Sequence, residues 1–180
     1  PQLAVRRHLK ASDRSARCVA THPTRPEVAV GYSDHLIRVF SLPDLLPLHT
    51  LAGHANSVFT LAYAPDGRTL LSGGRDARLL AWEVEENYAL RQSIPAHLYA
   101  LNHLTFSPDG QWLATASMDK SVKVWDLNTL VLRKVIDRAR HAGHGTSVNR
   151  LLWMPYRDQL VSASDDRTLS VWQLSTNGPA

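Results

Sequence analysis

The chain has 180 residues, 44% of them hydrophobic, with five Trp, ten Pro and a formal net charge of +4. That is enough for one domain with a sizeable core, and the composition excludes a disordered chain. No run of five or more Lys/Arg occurs, and no apolar run approaches the ~20 residues that span a bilayer, which argues against a dense nucleic-acid footprint and a spanning helix.

Cys18 is the one cysteine, so no intrachain disulfide can form, and a cytoplasmic setting is expected. The chain begins at Pro1 rather than Met, as a processed chain or a piece of a longer one would.

In chain order the sequence is four copies of one unit. Aligned on Pro23, Pro65, Pro108 and Pro155, the position 17 later is Phe40, Trp82, Trp125 and Trp172. The position 11 later is Asp34, Asp76, Asp119 and Asp166. Seven later stand Val30, Ser72, Thr115 and Ser162; 11 before stand Ser12, His54, His97 and His144. No gap is needed inside a copy, and fixed-period self-similarity of this kind marks a repeat architecture. Length varies only between the aromatic column and the next His, by 14, 15 and 19 residues, as loops on a repeated scaffold do.

Within a copy the pattern is strand-like. SVFTLAYA, RTLLSGG, ARLLAWEV and ALRQSIP are short runs rich in Val, Leu, Ile, Thr and aromatics, separated by turn signals. Pro65-Asp66-Gly67 and Pro108-Asp109-Gly110 suit tight hairpin turns, since Pro presets φ and Gly accepts positive φ. No stretch has convincing helical periodicity, so the unit is predicted to be a four-stranded antiparallel sheet and the fold all-β.

These residues resemble the WD-repeat β-propeller family. Gly53-His54 and Gly143-His144 match its Gly-His pair, and Ala96-His97 is a near match. Trp125-Asp126 is the literal Trp-Asp; Phe40-Ser41, Trp82-Glu83 and Trp172-Gln173 are drifted forms. The resemblance covers essentially the whole chain and looks most like bacterial WD-repeat proteins. It implies repeats at 12–41, 54–83, 97–126 and 144–173, each a blade, in an incomplete ring.

It also implies three buried structural hydrogen-bond sets: His54-Ser72-Asp76-Trp82, His97-Thr115-Asp119-Trp125 and His144-Ser162-Asp166-Trp172. The donor and acceptor inventory agrees: indole only donates, hydroxyl and neutral imidazole do both, and carboxylate accepts. The first unit, with Ser12, Val30 and Phe40 in those columns, is expected to hold by apolar packing alone and to be the weakest.

As blades, the predicted strands are 14–22, 27–32, 36–41 and 46–51; 57–64, 68–74, 77–84 and 88–94; 100–107, 111–117, 120–127 and 130–136; then 147–154, 158–164 and 167–174, with a fourth strand missing. Residues 3–9 are expected to be an outer strand of some other blade. Four blades are too few for the usual ring. Three arrangements would answer this: the C-terminal part of a seven-bladed protein, an eight-bladed ring of two chains exchanging residues 3–9, or a ring of four closing on itself.

Three His, three hydroxyls and three Asp resemble hydrolase triads. They repeat, each with its own Trp, and the hydroxyls sit mid-strand, so no enzyme is expected. His141-x-x-His144 lacks a Cys, and His144 is committed to its blade, so neither metal nor cofactor is expected.

The family instead binds proteins or peptides on its loop face, and the chain is expected to be an interaction scaffold. The resemblance carries over three positions per blade: six before the proline (Arg17, Phe59, Asn102, Asn149), eight before (Ser15, Ser57, Ala100, Ser147), and directly before the turn Asp (Ser33, Arg75, Met118, Asp165). Phe59, Arg75 and Met118 are types enriched at interface centres, with Arg17 as a peripheral charge. Arg138, Arg140 and His141 add positive charge. Nucleic-acid or polyanion binding through 133–144 is the alternative.

Overall fold

A computed structural model describes residues 4–155 and 157–173. The first sheet is β1 (Ala16–Thr21), β2 (Glu27–Tyr32), β3 (Leu36–Ser41) and β4 (Pro47–Ala52). The second is β5 (Val58–Tyr63), β6 (Thr69–Gly74), β7 (Arg78–Glu83) and β8 (Ala89–Pro95). The third is β9 (Leu101–Phe106), β10 (Trp112–Ser117), β11 (Val122–Asp126) and β12 (Leu132–Ile136). The fourth has, among the described residues, three strands, β13 (Val148–Met154), β14 (Gln159–Ser164) and β15 (Leu169–Gln173). All pairings are antiparallel, each strand beside its sequence neighbour.

The turns follow from their chemistry. Gly67 and Gly110 take φ of +74° and +68°, and their N–H groups donate to the carbonyls of Ala64 and Ser107. Asp66 and Asp109 accept from the N–H two residues on, closing the turn at its other side. The long connection before the fourth sheet holds one short helix, α1 (Arg138–His141), capped by Asp137 accepting from the Arg140 N–H. Sequence periodicity had no chance of showing a helix of four residues.

Consecutive sheets pack face to face. Ile37, Val39 and Ala29 of the first meet Val58, Leu61, Leu70 and Trp82 of the second. Leu71, Leu79 and Ala81 then meet Leu101, Leu104, Leu113 and Trp125. Ala114, Val122 and Val124 meet Val148, Leu151, Trp153 and Leu160. Each layer uses the same columns of the repeat, so one sequence pattern writes three cores. The inner strands β1, β5, β9 and β13 pack in that order. No comparable packing joins β13 back to β1, and the four sheets do not close into a ring.

The two ends of this arc expose the columns that the three layers bury. Four residues before the aligned proline, Leu61, Leu104 and Leu151 are 7%, 3% and 5% exposed, but Val19 is 66% exposed. Fourteen and sixteen residues after it, Ile37, Val39, Leu79, Ala81, Val122 and Val124 are all at 2% or below, whereas Leu169 and Val171 are 74% and 59% exposed.

One expectation stays open here and one is corrected: the outer strand expected at 3–9 would belong to a blade that these four sheets do not include. Residues 4–9 form no strand, and Val5 and Leu9 are exposed; residue 3 lies outside the described residues, as does position 174 of the last predicted strand. A segment carrying Arg6, Arg7, His8 and Lys10 has little apolar surface with which to hold a sheet edge. Arg7 reaches Asp44 instead.

The first unit, moreover, does not hold by apolar packing alone. Ser12 donates to Asp34 at 2.7 Å and Arg38 pairs with it at 2.9 Å, its guanidinium over the Tyr32 ring. On the opposite edge Tyr88 donates to Glu27 and shares a hydrogen bond with Tyr63, while the His22 ring meets the Gly67 carbonyl at 3.0 Å. These contacts tie the first sheet to the second.

Candidate interaction site at the channel mouth

The three polar sets are continuous hydrogen-bond chains. In the third unit the Trp125 indole N–H donates to Thr115 Oγ1 at 2.9 Å, the Thr115 hydroxyl meets His97 Nε2 at 2.9 Å, and His97 Nδ1 meets Asp119 at 2.9 Å. One direction satisfies every group: indole to hydroxyl, hydroxyl to Nε2, Nδ1–H to carboxylate. The second unit repeats it through Trp82, Ser72, His54 and Asp76, and the fourth through Trp172, Ser162, His144 and Asp166.

Burial alone would raise Asp119, but the hydrogen bonds from His97, Ser121 and the Leu98 N–H outweigh it and hold the carboxyl below its usual range. His97 is pushed down by burial, against the opposing pull of Asp119, and stays neutral at pH 7.

Ser72, Thr115 and Ser162 are essentially inaccessible, so no substrate reaches these hydroxyls. Among the described residues no group of His, Cys, Asp and Glu is arranged to hold a metal. His144 is engaged by Ser162, Asp166 and Thr168.

The column six before the proline behaves differently. In all four sheets the pairing of the inner strand with its neighbour skips one residue, and the residue skipped is Arg17, Phe59, Asn102 or Asn149. A bulge leaves its residue unpaired and re-aims its side chain. Repeated four times, it turns these four side chains into one cavity of about 340 Å3 between the inner strands, lined also by Ala16 and Arg150.

Arg17 lies over the Phe59 ring at 5.1 Å. Asn102 donates to Ser147 Oγ and to the Val148 carbonyl, bridging two units, and Asn149 donates to Asp165.

The other two columns meet beside this cavity. The N–H groups of Ser33, Arg75, Met118 and Asp165 donate to the carbonyls of Ser15, Ser57, Ala100 and Ser147, the same bond in each unit. Arg75, Met118 and Asp165 are exposed on these turns and do not line the cavity. Phe59 is thus the member of the Phe59, Arg75 and Met118 trio that lines the cavity.

Arg140 and His141 line a separate cavity of about 320 Å3, and Arg133 and Arg140 are already paired with Asp126 and Asp137. Arg150 was missed in the sequence. Its column, five before the proline, otherwise reads Cys18, Thr60 and His103, of which Cys18 and His103 bond to the next unit. A lone charge in that column was the available signal.

The WD repeat-containing protein 75 first beta-propeller family matches residues 2–120, more than half of the chain, and the WD domain, G-beta repeat family matches 137–173. Among curated proteins, similarity extends to Protein HIR1 of Kluyveromyces lactis, 38% identical over 35% of this chain and 9% of that protein. Transducin beta-like protein 3 of Rattus norvegicus is 34% identical over 49% of this chain and 11% of its own. Telomerase Cajal body protein 1 of Bos taurus is 36% identical over 38% and 13%. The matched region thus spans about a tenth of the length of these relatives. With the repeat columns, the four packed sheets and the family matches in agreement, the chain belongs to the WD-repeat β-propeller family.

Proposed function

We propose that the chain is a non-catalytic protein-interaction scaffold that takes a peptide or protein segment at the channel mouth. The convergence of four bulge residues from four units on one cavity carries this reading. An aromatic ring and a guanidinium stacked on it suit the centre of an interface, and the exposed Arg75 and Met118 form its rim.

The polyanion alternative finds less support, because two of the arginines of 133–144 are neutralised locally. In the same reading the four blades are the C-terminal part of a seven-bladed ring, the rest of which covers Val19, Leu169 and Val171. An eight-bladed ring of two chains is the arrangement that would bury the same faces, and the solution mass separates the two. Cytoplasmic residence is proposed on the single cysteine, Cys18, which allows no intrachain disulfide. No helix among the described residues is long and apolar enough to cross a membrane.

The test replaces Phe59 and Arg75 together with Ala. Neither is buried, so thermal unfolding is expected to change little, while a partner that co-purifies with the wild-type chain is lost. Retained capture would remove the channel mouth as the site.

A further inference from the structure

The cavity at the channel mouth carries a charge pattern that the repeat does not explain. Arg17 comes from the first inner strand and Arg150 from the last, yet both line the same cavity. Both also act on the Cys18 thiol, lowering it against the burial that raises it, and Arg150 acts in the same way on His103. Neither guanidinium has an ion pair among the described residues, whereas Arg25, Arg38, Arg91, Arg133 and Arg140 each have one.

One carboxylate lies nearby, Asp165, and it is engaged by the Asn149 amide at 2.5 Å. The amide of Asn102 is likewise spent on Ser147 and Val148. The charged donors left free in the cavity are therefore the two guanidiniums, beside one Asn149 N–H and the Asn102 Oδ1 acceptor.

Their geometry adds to this. The Phe59 ring lies beneath Arg17, 5.1 Å from its Cζ, and restricts where that guanidinium sits. A planar fork held in this way matches a carboxylate through two parallel hydrogen bonds. Two like charges facing one cavity of about 340 Å3 repel each other, and an anion between them relieves the repulsion. The cavity holds one or two side chains, not a continuous strand, and nucleic-acid binding would call for a row of cations along a backbone.

Resting on the channel mouth as the partner site, we propose that the cavity selects an acidic segment of the partner, seating an Asp or Glu side chain between Arg17 and Arg150. Affinity then depends on both guanidiniums and falls with salt. Phe59 positions Arg17 and gives the aliphatic part of the acidic side chain a surface to lie on.

The experiment titrates the chain with a hexaglutamate peptide by calorimetry at low salt, with inorganic phosphate and a hexathymidylate oligonucleotide as parallel probes. Saturable binding of hexaglutamate is expected, weakening at least tenfold in Arg17→Glu and again in Arg150→Glu, with Arg150→Gln between. All three variants should melt with the wild type, since both side chains are exposed.

No binding of hexaglutamate, or binding that survives both reversals, overturns the proposal. So does Arg150-dependent binding of the oligonucleotide or of phosphate without binding of the peptide. If instead Phe59→Ala/Arg75→Ala loses its partner while Arg17→Glu/Arg150→Glu keeps it, the acidic-segment proposal fails and the channel mouth stands.

Discussion

The third unit and the first unit solve the same problem in two ways. In the third, Trp125, Thr115, His97 and Asp119 form one buried chain. In the first, the indole and the hydroxyl are gone together, replaced by Phe40 and Val30, while Asp34 remains and is served by Ser12 and Arg38.

The pattern of loss has a physical cause. A hydroxyl in that column accepts from the indole and donates to the imidazole, so removing either partner alone strands a buried polar group at about 1–3 kcal/mol. Losing the whole chain strands nothing. The Asp has a separate duty: Asp34, Asp76, Asp119 and Asp166 each accept the N–H two residues on, closing the turn whose next residue takes positive φ. That duty exists in every unit, so every unit keeps its Asp.

The largest expected effect comes from removing the Asp where most depends on it. Asp119→Ala leaves His97 Nδ1–H and the N–H groups of Leu98 and Ser121 without their acceptor. A loss of about 3–5 kcal/mol is expected in urea unfolding. Asp34→Ala, whose partners are more exposed, should cost about 1–2 kcal/mol. Equal losses would mean that the two clusters are equivalent.

Next, Thr115→Val deprives both the Trp125 indole and His97 Nε2, at about 2–4 kcal/mol.

The third effect is acid sensitivity. His97 is lowered by burial, and His103 is pushed down to about 4 by burial and by Arg150. Between the folded and unfolded pKa values the unfolded chain binds more protons, so stability is full above about 6.5 and falls as the pH drops towards 4. His103 Nδ1 accepts the Leu151 N–H, so its protonation breaks a tie between the third and fourth sheets. His103→Gln should flatten this slope, by up to about 1.4 kcal/mol per pH unit. Unchanged acid unfolding in that variant would contradict the assignment. The Asp34 cluster, with no His, should take no part in this window.

The smallest effect is Ser12→Ala, about 0.5–1.5 kcal/mol, which reads the contact that compensates for the missing His.

Much of this was legible because each blade repeats its own internal register. Columns of fixed spacing give the strands to within one or two residues, and the family resemblance they carry implies the polar chains. Relations between units left a fainter trace. The bulge at Arg17, Phe59, Asn102 and Asn149 shows no composition bias, since a bulge is a property of pairing rather than of residue type.

The Glu27, Tyr63 and Tyr88 contact occurs once, so no period announces it. Arg150 stands in a column where Cys18 and His103 bond to the next unit, and only the arc of four sheets brings it to the same cavity as Arg17. The candidate column six before the proline therefore came with the family resemblance, and its convergence on one cavity did not.

The central claim, that the polar chain stands or falls as one unit, is tested most directly by the melting temperature of Thr115→Val/Trp125→Phe beside that of Thr115→Val alone. The double variant copies the first unit at two of its three changed columns, removing the stranded indole N–H along with the hydroxyl and leaving His97 in place. It is predicted to melt above the single variant despite carrying one more substitution. A double variant that melts at or below the single one would contradict the claim.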